Sequence, residues 1–250
     1  MTAPDARPGR VVVVTGGASG IGAAVARAFA EGGDRVVIAD IDAAAADKVA
    51  EEIGGTAVAM DITDPASVAA GLDRVLAEVG PLAVLVNNAG LVAGGGLLVD
   101  LPIEVFDTVV AVNLRGTFTV TAAAARRMIA EDAGGAIVNI SSIGARQPTA
   151  GLGHYEATKA AMDALTRTGA IELAPHRIRV NGVAPGPVHT PMTAGLMDDP
   201  QARQAWEARI PLGRIAVPED VAPLAVFLAS PAAAHITGTI VQVDGGQLLV

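Results

Sequence analysis

A tyrosine and a lysine stand four residues apart in Tyr155-Glu156-Ala157-Thr158-Lys159. On a helix that spacing puts both side chains on one face, about 5–6 Å apart at Cβ. A free phenol, with a pKa of about 10, is a poor base at neutral pH. A neighbouring ammonium favours the phenolate, because opposite charges ~4 Å apart interact by a few kcal/mol at an effective dielectric near 20. Lowering a phenol pKa by two takes roughly 2.7 kcal/mol, which is within that reach. Tyr155 is the only tyrosine, so no other phenol competes for an acid/base role. Taken alone, the pair reads more often as an aromatic and a solvated lysine on a surface helix. Its meaning comes from the segments around it.

The run Thr15-Gly16-Gly17-Ala18-Ser19-Gly20-Ile21-Gly22 joins a β-branched stretch directly to an amphipathic one. Glycine backbone lets a pyrophosphate approach closely, and the free N–H groups of a helix start favour its charge. The spacing Gly-x3-Gly-x-Gly is not the common Gly-x-Gly-x-x-Gly, so a plain glycine-rich turn is the competing reading. Asp40 ends the next apolar run, where an acid meets ribose hydroxyls and repels a 2′-phosphate. Neither Ser19 nor Ile41 supplies a compensating cation, which favours NAD over NADP; a solvated turn acid is the alternative. Asn87-Asn88-Ala89-Gly90 and Ser141-Ser142 end two further apolar runs and bring polar groups to the same edge.

Those groups need a scaffold, and the chain alternates short β-branched runs with longer alanine-rich stretches. Strands are expected at 11–14, 36–39, 57–60, 82–86, 136–140, 179–183 and 240–243. Helices are expected at 21–30, 43–53, 65–78, 102–131, 153–174 and 218–229. Strands apolar throughout suggest burial on both faces, the mark of a parallel sheet covered by helices. In Asp64-Pro65 the acid can cap a helix whose first position the proline fills; Pro102 and Pro218 fit similar starts. With no dividing linker or repeat, residues 1–250 read as one doubly wound α/β domain of Rossmann type. Its seven parallel strands would hold ligands at their carboxyl ends.

Composition narrows the partners. A formal charge of −9 without a basic cluster argues against nucleic acid. There is no cysteine, hence no disulfide or thiolate metal site, and the four histidines show no metal spacing. A polar Met1–Arg10 before the short run Val11–Val14 does not fit a signal peptide, and no stretch approaches the ~18 apolar residues of a membrane span. A cytoplasmic location without a membrane partner is the expectation.

Taken in order, several segments resemble the short-chain dehydrogenase/reductase family over essentially all 250 residues. They are Thr-Gly-x3-Gly-x-Gly from Thr15, Asp61, Asn87-Asn88-Ala89-Gly90, Asn113 in Val-Asn-Leu-Arg-Gly, Ser142 with Tyr155 and Lys159, and Pro185-Gly186 followed by Thr190. The closing Ile236-Thr237-Gly238 and Val243-Asp244-Gly245-Gly246 also match.

The resemblance implies a hydride transfer between NAD(H) and a small or medium-sized secondary alcohol or ketone, in a homotetramer and without a metal. Ser142 would hydrogen-bond the substrate oxygen, because it has the family's separation from Tyr155 where Ser141 does not. Tyr155 would be the acid/base, Lys159 would hold the ribose and lower the phenol pKa, and Asn113 would hold a relay water. Gly16, Ser19, Gly20, Ile21 and Gly22 would cradle the phosphates. Asp40 and Ile41 would meet the adenosine ribose, Asp61 and Ile62 the adenine, and Asn88, Ala89 and Gly90 the ribose. Pro185, Gly186, Val188 and Thr190 would meet the carboxamide.

Substrate choice is expected in a lid at about 191–213, with Met192, Leu196 and Trp206 on its apolar face. A packing or subunit-contact segment is the competing reading. Gln147, Leu152 and His154 are further candidates for the pocket wall. Two other functions share the motifs: reduction of a 3-oxoacyl thioester on an acyl-carrier protein, and a non-catalytic dinucleotide sensor. The complete Asn113, Ser142, Tyr155 and Lys159 set disfavours the sensor, which needs only the cofactor half.

Overall fold

Val11, Val12, Val13 and Val14 are all buried, yet they belong to two different cores. Val12 and Val14 pack with Phe29, Val49 and Leu228, whereas Val11 and Val13 pack with Leu72, Val120 and Met128. A strand alternates its side chains between faces, so an unbroken apolar run needs cover on both sides. The computed structural model describes residues 9–250; of Leu196 and Met197 only the backbone is described.

The elements run β1 Val11–Thr15, α1 Gly20–Glu31, β2 Arg35–Asp40, α2 Ala43–Ile53, β3 Thr56–Ala59, α3 Pro65–Glu78, β4 Leu82–Asn87 and α4 Ile103–Val109. A π-helical stretch, Val110–Gly116, continues α4 into α5 Thr117–Glu131. Then follow β5 Gly135–Ile140, a 3-10 turn Ile143–Ala145, α6 Gly153–Leu173 and β6 Ile178–Pro185. The chain closes through α7 Ala194–Met197, α8 Pro200–Glu207, α9 Pro218–Ala229, β7 Ile240–Val243 and a last 3-10 turn, Gln247–Leu249.

All seven strands are parallel, in the order β3-β2-β1-β4-β5-β6-β7. The order reverses at β1, so the carboxyl ends of β1 and β4 open a crevice there. Both strands end in the polar groups singled out from sequence, with Thr15 paired to Asn87 in register. No helix among the described residues is long and apolar enough to cross a membrane.

Local chemistry accounts for several starts. Asp64 accepts the Ala66 N–H at 2.9 Å with Pro65 in the first turn. Pro218 also occupies a first turn, and Asp220 accepts the Val217 N–H at 2.8 Å. Pro102 instead precedes its helix as the cap, in an extended conformation. The single helix expected at 102–131 contains the π-helical stretch, which a periodicity of 3.6 does not reveal. Helices α7 and α8 lie where only a lid segment was expected; Asp199 caps α8 through the Gln201 N–H at 2.8 Å.

The glycine turn after β1 is held by protein as tightly as any ligand could require. A Cβ on Gly22 would lie 2.2 Å from the Gly16 carbonyl oxygen and 2.4 Å from Asn88 Nδ2, and one on Gly16 2.7 Å from Ala89 Cα. Overpacking of this kind costs roughly 1–3 kcal/mol. Gly22→Ala is expected to lower the urea unfolding midpoint accordingly; an unchanged midpoint would contradict the close approach.

Candidate active site

One crevice of about 530 Å³ runs along the carboxyl edge, from Asp40 and Asp61 at one end to Trp206 and Gln247 at the other. Its glycine end is braced from β4. Asn88 Nδ2 donates to the carbonyls of Thr15 at 3.1 Å and Gly16 at 2.8 Å, while Thr15 Oγ1 accepts the N–H groups of Asn88 and Ala89. Gly16, Ser19, Gly20 and Ile21 line the crevice, and Gly22 is buried behind them. Gly22 therefore permits close packing within the protein instead of meeting a ligand.

Asp40 lines the crevice with both oxygens tied to backbone, to Ala18 N–H at 3.1 Å and Asp42 N–H at 3.0 Å. Its carboxylate links the turns that follow β1 and β2, and Ile41 beside it is exposed. Asp61 accepts both the N–H and the hydroxyl of Thr63. Ile62 is buried, close to where a side chain on Gly116 would fall, yet still borders the crevice. Asn88, Ala89 and Gly90 form the wall after β4, and Asn87 turns away to donate to Thr121 and Asn139, each at 2.8 Å.

After β5 the two serines part. Buried Ser141 donates to Asp163 Oδ1 at 2.5 Å, whereas Ser142 lines the crevice and accepts the Gly144 N–H at 3.0 Å. That acceptance leaves the Ser142 hydroxyl hydrogen free of the backbone, to be shared between Tyr155 and the crevice. Tyr155 and Lys159 lie on one face of α6, with Nζ 5.5 Å from the ring centre. Lys159 is 4 % exposed and donates to the Ile140 carbonyl at 2.8 Å.

The electrostatics differ from the expectation. Burial pushes the Tyr155 phenol above its ordinary pKa, a hydrogen bond with Ser142 pulls it back, and the charge of Glu156 raises it further. The ring is half-buried and open to the crevice, so solvent moderates that penalty. Lys159, whose ammonium donates to the Ile140 carbonyl, does not offset that burial. Burial in turn pulls Lys159 down to about 8, opposed by the charge of Asp163.

Asn113 lies in the π-helical stretch, fully buried and not on the crevice wall. Its side chain clamps Leu91, accepting the N–H at 2.9 Å and donating to the carbonyl at 2.8 Å, with Thr158 Oγ1 at 3.3 Å. An amide so committed braces the wall through Leu91 and Thr158. His154 is likewise buried, its Nε2 2.8 Å from the Val92 carbonyl, and does not line the crevice. The expected pocket-wall role is replaced by support of the loop after Gly90.

Pro185, Gly186, Val188 and Thr190 line the crevice beyond β6, with Gln147, Leu152, Met192 and Trp206 at its outer end. The side chain of Leu196 lies outside the described residues. Trp206 packs on Ile210 and Ile215 as a small satellite core. Among the described residues no group of three His, Asp or Glu side chains is arranged to hold a metal ion.

Known proteins share this architecture along its length. A family model described as enoyl-(acyl carrier protein) reductase matches residues 16–247. The chain is 46 % identical over 246 residues to a cis-4-hydroxycyclohexanecarboxylate dehydrogenase of Sinomonas cyclohexanicum, covering 96 % of this chain and 97 % of that one. Among solved structures, a short-chain type dehydrogenase/reductase from Mycobacterium marinum superposes with a TM-score of 0.91 at 38 % identity, over 96 % of this chain and 95 % of that one. The chain belongs to the short-chain dehydrogenase/reductase family. A second solved member, a 3-ketoacyl-(acyl-carrier-protein) reductase from Brucella melitensis complexed with NADH, gives 0.91 at 39 % identity, over 96 % and 98 % of the two chains.

Within this short-chain dehydrogenase/reductase, Asp163 is the polar residue that sequence reasoning passed over. The signal was there, an acid four residues beyond Lys159 on the same helical face. Asp163 is 5 % exposed, holds Ser141, and keeps Lys159 charged against burial. Glu156, which accepts the Thr149 N–H at 2.6 Å, was also missed.

Lys48 and Lys159 are the only lysines, so a carbon-13 lysine NMR titration contains two signals. The signal of Lys159 is expected to titrate near 8, and Asp163→Asn to move it lower by removing the opposing charge. A Lys159 titration at the ordinary lysine value, or one indifferent to Asp163→Asn, would contradict this electrostatic arrangement.

Proposed function

We propose that the protein is an NAD-dependent dehydrogenase of small to medium secondary alcohols, running in reverse as a ketone reductase, with Tyr155 as acid/base. The observation that carries this reading is the single crevice lined by Asp40 at one end and by Ser142, Tyr155 and Lys159 at the other. Its volume, about 530 Å³, falls in the ~300–1,000 Å³ span of cofactor and ligand sites.

The residues present fit a dinucleotide. The start of α1 opens into the crevice beside Gly20, whose φ of +52° suits glycine, and such a start favours pyrophosphate. Ser19, Gly20 and Ile21 would hold the phosphates, and Asp40 with Ile41 the adenosine ribose. Asp61 and Ile62 would border the adenine, Asn88 to Gly90 and Lys159 the second ribose, and Pro185, Gly186, Val188 and Thr190 the carboxamide. Bound NAD would supply the hydride acceptor together with a positive charge beside the phenol.

In oxidation, Ser142 donates to the substrate oxygen and orients the alcohol toward Tyr155 Oη, which takes the hydroxyl proton. In reduction the phenol, protonated at neutral pH, donates to the forming alkoxide. Lys159 stabilises the phenolate, and Asp163 keeps Lys159 charged. Asn113 and His154 fix Leu91 and Val92 and so hold the wall facing the site. The segment 191–213, with Met192 and Trp206 on the crevice, serves as the substrate lid.

Relatives named as dehydrogenases of a hydroxycyclohexanecarboxylate, of rhamnose and of galactitol support an alcohol substrate. A 3-oxoacyl-(acyl-carrier-protein) reductase of Thermotoga maritima, 39 % identical over 96 % of this chain and 98 % of that one, supports the second reading. The charge of −9 opposes docking of an acidic carrier. A cytoplasmic homotetramer completes the proposal; Phe118 on α5 and Ile171 on α6, 57 % and 77 % exposed, offer apolar surface for subunit contact.

Tyr155→Phe is expected to keep NAD binding and lose about 10²–10⁴-fold in kcat; near-normal kcat would remove the phenol from its role. Asp40→Arg is expected to shift preference toward NADP in initial-rate assays, with some loss of affinity because the bonds to Ala18 and Asp42 go with it. An unchanged NAD/NADP ratio would count against Asp40 as the discriminator.

A further inference from the structure

At the outer end of the crevice two glutamines meet from segments 100 residues apart. Gln247 Nε2 donates to Gln147 Oε1 at 3.0 Å, and both residues line the crevice that holds Ser142 and Tyr155. Gln247 is 2 % exposed, yet its Oε1 has no hydrogen-bond partner. A buried, unmatched amide oxygen is costly, and on a residue that lines a ligand crevice it marks a side chain that gains a partner by turning toward a bound ligand.

Both side chains issue from fixed backbone. Gln147 follows the 3-10 turn that starts at Ser142, its N–H bonded to the Ile143 carbonyl at 2.9 Å. Gln247 opens the last 3-10 turn, which Asp244 secures by accepting the N–H groups of Gly246 and Leu248 at 2.9 and 3.0 Å. Behind them lies a small apolar cluster of Ile143, Ala184 and Ile240 with Leu248. The pair is therefore a rigid polar feature on the same side of the crevice as the serine that receives the substrate oxygen.

The chemistry of the pair selects its ligand. In the orientation described, Gln247 offers an acceptor and Gln147 a free amide donor; with both amides turned over, the two roles exchange. In either case the pair keeps one free acceptor and one free donor on residues that line the crevice. A hydroxyl, which both donates and accepts, matches either arrangement. A carboxylate matches only the donor and would face the amide oxygen and Glu156, whose side chain also lines the crevice. A plain hydrocarbon leaves the oxygen unmatched.

We propose that Gln147 and Gln247 form a subsite for a second hydroxyl, so that the preferred substrate is a diol or polyol and not a simple secondary alcohol. This inference rests on the dehydrogenase reading above. Neither glutamine takes part in proton transfer; they set specificity by holding the part of the substrate that does not react.

The test is kcat/KM with NAD for cyclohexanol and for the 1,2-, 1,3- and 1,4-cyclohexanediols, in wild type, Gln247→Met and Gln147→Met. The best diol is expected to exceed cyclohexanol by at least roughly tenfold in wild type. That ratio is expected to fall toward one in each variant. Gln147 is half-buried, so its variant reads the same ratio should Gln247→Met not fold. Oxidation of cyclohexanol as efficient as that of every diol, or a diol preference that survives both substitutions, overturns the subsite and leaves the dehydrogenase reading standing. Oxidation of no member of the panel, with NAD or NADP, overturns both.

Discussion

The site depends on a charge kept where water is scarce. Lys159 is buried, held by the Ile140 carbonyl and opposed across Ser141 by Asp163. An ammonium in that position is costly unless hydrogen-bonded and balanced, and both conditions are met within one turn of α6 and the end of β5. In the phenol beside it, burial and Glu156 outweigh whatever lowers the pKa and hold it up. At neutral pH the resting site therefore pairs a protonated acid with a cation, a state suited to carbonyl reduction as it stands. Alcohol oxidation needs the additional field of a bound oxidised nicotinamide.

The sheet makes this arrangement possible by bringing strand ends together. Asn88 props the glycine turn, Ser142 follows β5, and Pro185 ends β6, so groups far apart in sequence share one edge. Tight packing holds them there: Gly16 and Gly22 leave no room for a side chain against Ala89 and Asn88. A buried ladder, Asn87 to Asn139 to Thr166, ties β4 and β5 to α6, the helix that carries Tyr155.

Much of this is legible in the order of residues alone. The apolar runs mark strands covered on both faces, and the ordered motifs match a family, because each reflects a local demand of backbone or ligand. Asn113 illustrates what was not legible: its residue type and context marked it as important, but only the fold shows its amide closed on Leu91. His154 sits beside Tyr155 in sequence and faces away from the crevice, since neighbours on a helix point about 100° apart. The π-helical stretch, the Ser141–Asp163 bond and the Gln147–Gln247 pair all depend on contacts across the chain, which periodicity and spacing do not encode.

Because Tyr155 is the sole tyrosine, phenolate absorbance during a pH titration reports the proposed acid/base group directly. In the proposed mechanism the phenol becomes acidic through the combined charge of Lys159 and bound oxidised nicotinamide. The titration midpoint should lie above the ordinary phenol value in the free protein and drop when saturating NAD is added. A midpoint unmoved by NAD would contradict that claim.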